Sequence, residues 1–275
     1  MRISISNIAW DKGNDEQVYN MLQEYGITGL DVAPGRVFDN PMSISKEQGK
    51  EFVESIKKRG LQPVGMQSLL FGTSGMALFE GTEVREKTIE NLKVMIDYAS
   101  KIGVTRLVFG SPKNRLIGSQ SEAVIAKLAY EMFNKLGDYA IANKVCFCIE
   151  PNPTAYGADF ITTTEEGIEL VKRIDNPGFR LHMDLGTMII NNEDIDDVVA
   201  RGIGVTEHVH ISHPHLEQVI GLDDVHKRFY SALARNGYKG AVAIEMKNSM
   251  EPENIEKVRE TIRFISSVYG GNGDE

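Results

Sequence analysis

VCFCIEPNPTAYGADFITTTEEGIELVKRIDNPGFRLHMDLG, residues 145–186, contains one complete repeat of the pattern that organises the whole chain. VCFCIE at 145–150 and FRLHMD at 179–184 are short runs of strand length. A polar turn follows the first run, and then a stretch with helical periodicity over Thr164–Ile174 leads into the second. Strand, turn, helix and strand in this order imply parallel strands joined by crossover helices.

Working outward, the same rhythm runs to both ends. Upstream, strands are expected at Arg2–Ile8, TGLDV (28–32), LQPVGMQ (61–67) and TRLVFG (105–110). Their helices are expected near Asp15–Tyr25, Ser45–Arg59, Glu83–Ile102 and Ser121–Asn143. Downstream come a helix near Asp194–Arg201, strand VTEHVHI (205–211), a helix near Asp223–Arg235, strand AVAIEM (241–246) and a helix near Pro252–Val268. Eight strand–helix units in 275 residues predict one α/β domain over 1–275, a single (β/α)8 barrel with a frayed tail at 270–275. An open doubly wound sheet would usually have fewer units, and no glycine-rich dinucleotide turn follows the first strand.

The last four strands each end in a group that can hold a metal: Glu150, Asp184, His210 and Glu245. Side chains alternate along a strand, so each of these shares a side with the residues two before it, and Thr206 and His208 go with His210. If the carboxylates face the axis, three of them converge with one imidazole. Three carboxylates in an apolar barrel do not all stay ionised without a counter-charge. One divalent cation supplies it, and an oxygen-rich set with one imidazole suits Mn2+, Co2+ or Mg2+, with Zn2+ also accommodated. His182 and His208 lie a step deeper and are expected to be hydrogen-bonded core histidines.

The strings IEPNP (149–153), HMDLG (182–186), HVHIS (208–212) and AIEM (243–246) resemble the xylose isomerase-like barrel superfamily over essentially the whole chain. That superfamily includes sugar-phosphate isomerases and epimerases, ketose 3-epimerases, hydroxypyruvate isomerase, inosose dehydratase and endonuclease IV. The resemblance implies that Glu150, Asp184, His210 and Glu245 bind the metal and that Glu150 and Glu245 also move the proton. The implied chemistry is removal of the acidic C–H next to a carbonyl, giving a metal-stabilised enediolate. Proton return to the opposite face inverts the centre, and transfer to the neighbouring carbon isomerises it. Three positions depart from the pattern: Thr187 in place of a histidine, Tyr156 in place of a glutamate, and HISHPHL (210–216) without the arginine expected there. Free-ketose recognition therefore does not carry over.

Polar groups expected on the mouth are candidates for reading the substrate: Arg36, Gln67, Lys113, Arg115, Asn152, His213 and Lys247, with Asp31, Asn114 and Asn7 nearby. The basic ones suit an anionic sugar, since arginine grips carboxylate or phosphate through paired hydrogen bonds. Trp10 ends the first strand, either as an apolar wall for a sugar ring or as a packed residue, and Phe71 sits in a loop able to cover the site. His213 is open to a loop, substrate-contact, acid/base or second-metal role.

Composition narrows the field. Hydrophobic residues make up 41% and charged residues 25%, as in ordinary globular proteins. Thirty basic against 39 acidic residues give a net charge of −9, which disfavours nucleic acid as a partner. No segment approaches the roughly 20 apolar residues of a membrane span, and MRISISNIAWD reads as a strand rather than a signal peptide. The two cysteines, Cys146 and Cys148, are too close along one strand to bridge readily. A cytoplasmic enzyme acting on a small carbohydrate, as a homo-oligomer in keeping with the superfamily, is the expectation. An isomerase or epimerase leads, followed by a dehydratase of the inosose type; an endonuclease IV-like phosphodiesterase and a non-catalytic sugar-binding barrel stand behind these.

Overall fold

The computed structural model describes residues 1–270, so 271–275 of the expected tail lie outside the described residues. Eight parallel strands close into a ring in chain order. They are β1 (Arg2–Ser6), β2 (Gly29–Val32), β3 (Gln62–Met66), β4 (Arg106–Phe109), β5 (Cys146–Ile149), β6 (Phe179–Asp184), β7 (Thr206–Ser212) and β8 (Ala241–Glu245). β8 pairs back onto β1, with Ser4 opposite Ala243, and this closure leaves no sheet edge. The expected (β/α)8 barrel is the observed fold.

Outside the ring lie α1 (Asp15–Glu24), α2 (Pro34–Val37), α3 (Lys46–Lys57), α4 (Thr82–Ile102), α5 (Glu122–Ala142), α6 (Thr164–Ile174), α7 (Leu185–Ile190), α8 (Ile195–Gly202), α9 (Asp223–Arg235) and α10 (Asn254–Tyr269). The short helices α2 and α7 were not expected; each sits in a loop at the C-terminal mouth. Local chemistry sets the helix ends. Ser45 and Gln48 form a reciprocal capping box on α3. α4 stops at Gly103, whose φ of 78° is a left-handed conformation that glycine adopts without a Cβ clash.

The main core lies between sheet and helices. Leu22, Leu92, Phe133, Leu136, Phe229 and Ile262 are fully buried against Ile5, Leu30, Leu107, Phe147, Val209 and Ile244. Phe133 stacks on Phe179 at 4.7 Å between ring centres, tying α5 to β6. Full burial of one such side chain contributes about 1.5–3 kcal/mol. With helices covering the outer face, polar strand residues are left for the barrel interior and mouth.

Two register shifts shape that interior. Leu30 and Asp31 lie opposite Pro63 and Gly65, so Val64 is an extra residue on β3. Leu181 and His182 lie opposite Thr206 and His208, so Glu207 is extra on β7. A residue inserted in this way interrupts strict alternation, and the expected grouping of Thr206 with His208 and His210 fails at Glu207, which instead pairs with Arg106 at 3.0 Å. Cys146 and Cys148 are free thiols with sulfurs 3.9 Å apart. Among the described residues, no helix is long and apolar enough to cross a membrane.

Candidate metal centre and active site

Each of the four expected ligands is delivered by the end of one strand. Glu150 follows β5, Asp184 closes β6, His210 lies near the end of β7 and Glu245 closes β8. One donor atom from each falls within 4.8 Å of all the others. The carboxyl ends of Glu150 and Glu245 keep a little exposure, while His210 has none. Their tips open into a cavity of about 530 Å³, also lined by Gln67, Lys113, Asn152, Tyr156 and Leu216. Two clefts of about 610 Å³ run between outer helices and do not reach the cluster.

Neighbouring groups hold each ligand. Asp184 caps α7, accepting from the Thr187 backbone N–H at 2.8 Å on one oxygen and from the Ser212 hydroxyl on the other. The Gln67 side-chain amide donates to Glu245 at 2.6 Å. Arg115 is fully buried and donates to the Glu150 carbonyl at 2.6 Å and to Asn152 Oδ1 at 2.8 Å, which fixes the turn after β5. His210 Nδ1 is 3.2 Å from Glu245, and its Nε2 is 3.5 Å from Asp31. Glycines make room: a Cβ at Gly110 would overlap the Glu150 carboxylate, and one at Gly65 would overlap Asp31 and His208.

The electrostatics follow from this crowding. Burial, with the charges of Glu245 and Asp184, pushes the Glu150 carboxyl up to about 8. Burial and Glu245 also raise Asp184, against hydrogen bonds from Ser212 and Thr187. For His210, burial opposes protonation, but Glu245, Asp31 and Glu150 outweigh it and hold the imidazole well above its ordinary range. Beneath, Asp31 accepts from Ser4 at 2.9 Å and lies 2.6 Å from His208 Nε2; burial opposes its charge, and the two histidines prevail and keep it ionised. His182, packed edge-on to His210 at 4.1 Å, is held neutral by burial and by its histidine neighbours.

The ring therefore carries excess negative charge that a cation would balance. Both ring nitrogens of His210 are buried and lack a hydrogen-bond partner. A buried imidazole held by ion-pair contacts to Glu245 and Asp31 rather than by well-formed hydrogen bonds, beside three carboxylates, is a donor set suited to a divalent cation, so the residues present fit one.

The expected substrate contacts divide. Gln67, Lys113 and Asn152 line the cavity, with Asn114 and Phe71. Arg36 is not free to grip a substrate: it pairs with Asp15 at 2.8 Å and donates to the Trp10 carbonyl. Trp10 is buried, its indole N–H on Asp15 and its ring edge-on to Tyr19, so it is the packed residue rather than a sugar platform. Arg115, whose guanidinium donates to the Glu150 carbonyl and to Asn152, buttresses the site and is not among the residues that line the cavity. His213 turns away to meet His226 at 2.9 Å, and Lys247 pairs with Glu217. Asp31 lies inside the barrel, not on the mouth, because β2 continues past it to Val32. Asn7 is also buried and accepts from the Ala33 N–H. The sequence reading missed Ser212, Gly65 and Gly110 as parts of the site; the available signal was a serine or glycine at a strand end, where a small residue leaves room for a neighbouring carboxylate.

Comparison with known proteins is consistent with this geometry. A family model described as "Xylose isomerase-like TIM barrel" matches residues 20–268. A probable ketose 3-epimerase from Synechocystis sp. is 22% identical, the match covering 99% of this chain and 98% of that protein. Among solved structures, 3-keto-D-glucoside 4-epimerase from E. coli superposes with a TM-score of 0.79 at 16% identity, covering 97% of this chain and 99% of the other. D-psicose 3-epimerase from Clostridium cellulolyticum H10, solved with D-tagatose, gives 0.79 at 16% identity, covering 98% and 99%. At such identities these structures establish the fold alone.

Proposed function

The chain belongs to the xylose isomerase-like TIM barrel family, and from that premise we propose that it is a divalent-metal-dependent enzyme that epimerises or isomerises a small hydroxy-carbonyl sugar. The observation that carries the reading is the convergence of Glu150, Asp184, His210 and Glu245 at the floor of a cavity large enough for a monosaccharide. These four residues would hold the cation, Mn2+, Co2+, Mg2+ or Zn2+. When bound, it would polarise a substrate carbonyl and make the neighbouring C–H more acidic.

The remaining chemistry belongs to the chain. Glu150 and Glu245 stand at the ends of different strands, β5 and β8, and both tips reach the cavity. One removes the proton from the carbon beside the carbonyl, leaving an enediolate of the substrate; the other returns a proton. Return to the opposite face of the same carbon gives epimerisation. Gln67 orients Glu245 through its 2.6 Å hydrogen bond, and Arg115 orients the turn that carries Glu150. Asp184, bonded to Thr187 and Ser212, remains a ligand rather than a proton carrier. Lys113 on the cavity wall suits a substrate with an anionic group. The Synechocystis relative makes ketoses the first substrates to try.

The test is deuterium uptake. Protein loaded with Mn2+ is incubated in D2O with ketohexoses, ketopentoses and their phosphates and followed by NMR. Deuterium is expected at the carbon next to the carbonyl, with a new epimer and no loss of water from the sugar. Failure to bind any divalent ion, or absence of exchange across the panel, would overturn the proposal.

A further inference from the structure

The segment after β7, whose Leu216 lines the cavity, departs from ordinary backbone geometry. His215 and Leu216 both have left-handed backbones, with φ of 60° and 54°. Neither is glycine, and each such residue costs about 1–2 kcal/mol, so the surrounding contacts must impose the conformation. The Lys247 backbone N–H donates to the Leu216 carbonyl at 2.9 Å, and the Leu216 N–H to the His213 carbonyl at 3.0 Å. The His215 backbone N–H donates to the Tyr156 hydroxyl at 2.7 Å, and the two rings meet edge to face at 5.6 Å.

That last bond has a directional consequence. A phenol has one proton to donate and lone pairs that accept. The His215 N–H occupies the accepting side of Tyr156, so the proton points elsewhere. Among the described residues no group accepts it. Tyr156 lines the same cavity as Glu150, Asp184 and Glu245. Burial, with those three carboxylates, outweighs the opposing hydrogen bond from His215 and raises the phenol above its ordinary range, so it stays protonated at neutral pH. The strained loop thus holds a half-buried phenol as a donor beside the metal ligands.

We infer that Tyr156 is a specificity-determining residue whose hydroxyl donates a hydrogen bond to one oxygen, hydroxyl or carbonyl, of the bound sugar. The sugar is taken from the proposed function above. The hydrogen bond from His215 aims the donor, and Leu216 supplies an apolar wall in the same cavity.

Wild type and Tyr156→Phe, both Mn2+-loaded, are titrated calorimetrically with D-fructose, D-psicose and D-tagatose, and then with monodeoxy analogues of whichever ketose binds. Tyr156→Phe is expected to weaken the parent sugar about 5- to 10-fold, the effect of one lost neutral hydrogen bond. The penalty should vanish for the single analogue that lacks the partner oxygen. Tyr156→Phe also removes the acceptor for the His215 N–H, but loop displacement would weaken all analogues alike. A uniform penalty, or none, overturns the inference. Ketose binding by wild type without deuterium exchange overturns the epimerase reading and leaves the analogue comparison decisive for Tyr156. No ketose binding to wild type overturns both.

Discussion

The two halves of the barrel contribute differently to the same cavity. β5 to β8 deliver one candidate ligand each: Glu150, Asp184, His210 and Glu245. β1 to β4 deliver none of those four; they bring Ser4 and Asp31 beneath the imidazoles, Gln67 against Glu245, and Gly65 and Gly110 where a Cβ would collide. One half carries the four candidate ligands, and the other provides space, hydrogen bonds and the Asp31 carboxylate beneath them. A site of three carboxylates needs both, because buried charges are tolerated only when neighbours hold them in place and leave room for the balancing cation.

Three measurements test that contrast. The largest difference is expected between Glu245→Gln and Gln67→Leu. The first removes a proposed proton carrier and should cut deuterium exchange about 1,000-fold. The second removes only its hydrogen-bond donor and should cost about tenfold. Equal losses would mean that the β1–β4 side takes part in the chemistry rather than supporting it.

Next in size is Gly110→Ala. The added methyl group displaces the Glu150 carboxylate and should weaken Mn2+ binding about 10- to 100-fold by calorimetry. Gly204→Ala, where a Cβ meets nothing within 4 Å, is the control and should bind normally. Unchanged affinity in Gly110→Ala would deny the β4 end its role in placing Glu150.

The smallest effect is in pH. With the Glu150 carboxyl near 8 and the His210 imidazole held well above its ordinary range in the cation-free protein, binding a cation displaces a proton from each. Mn2+ affinity should therefore fall as pH drops, by more than about tenfold per unit below pH 8. Calorimetry in two buffers of different ionisation enthalpy reads the released protons directly. The folded, cation-free protein holds a proton that the unfolded chain has already lost, so its stability should decline as pH rises from the ordinary carboxylate range towards 8. Proton-independent binding would show that Glu150 is ionised before the cation arrives.

Much of the ligand half was legible because each ligand stands at the end of a short apolar run, where alternation and a common strand height leave few arrangements. Glu150, Asp184, His210 and Glu245 came from that argument, and the structure brings them together. The other half was read less well. Asp31 and Arg36 looked alike, as polar residues around a strand end, yet one became an interior carboxylate and the other a partner of Asp15. Arg115 and Lys113 are two residues apart in one turn, but only Lys113 lines the cavity. The reason is reach: a long cationic side chain on a loop can turn towards any carboxylate or carbonyl within several ångströms, and sequence spacing does not select among them.

Local periodicity was enough to read the strand–helix alternation, the closure implied by eight units and the four strand-end candidate ligands, because such patterns survive small errors in boundaries. Which polar residues meet depends on the folded ring. The register shifts at Leu30/Asp31 and Leu181/His182, the collisions avoided at Gly65 and Gly110, and the hydrogen bond that aims Tyr156 all join residues distant along the chain. Their geometry depends on how the ring closes and twists, and no local pattern encodes that.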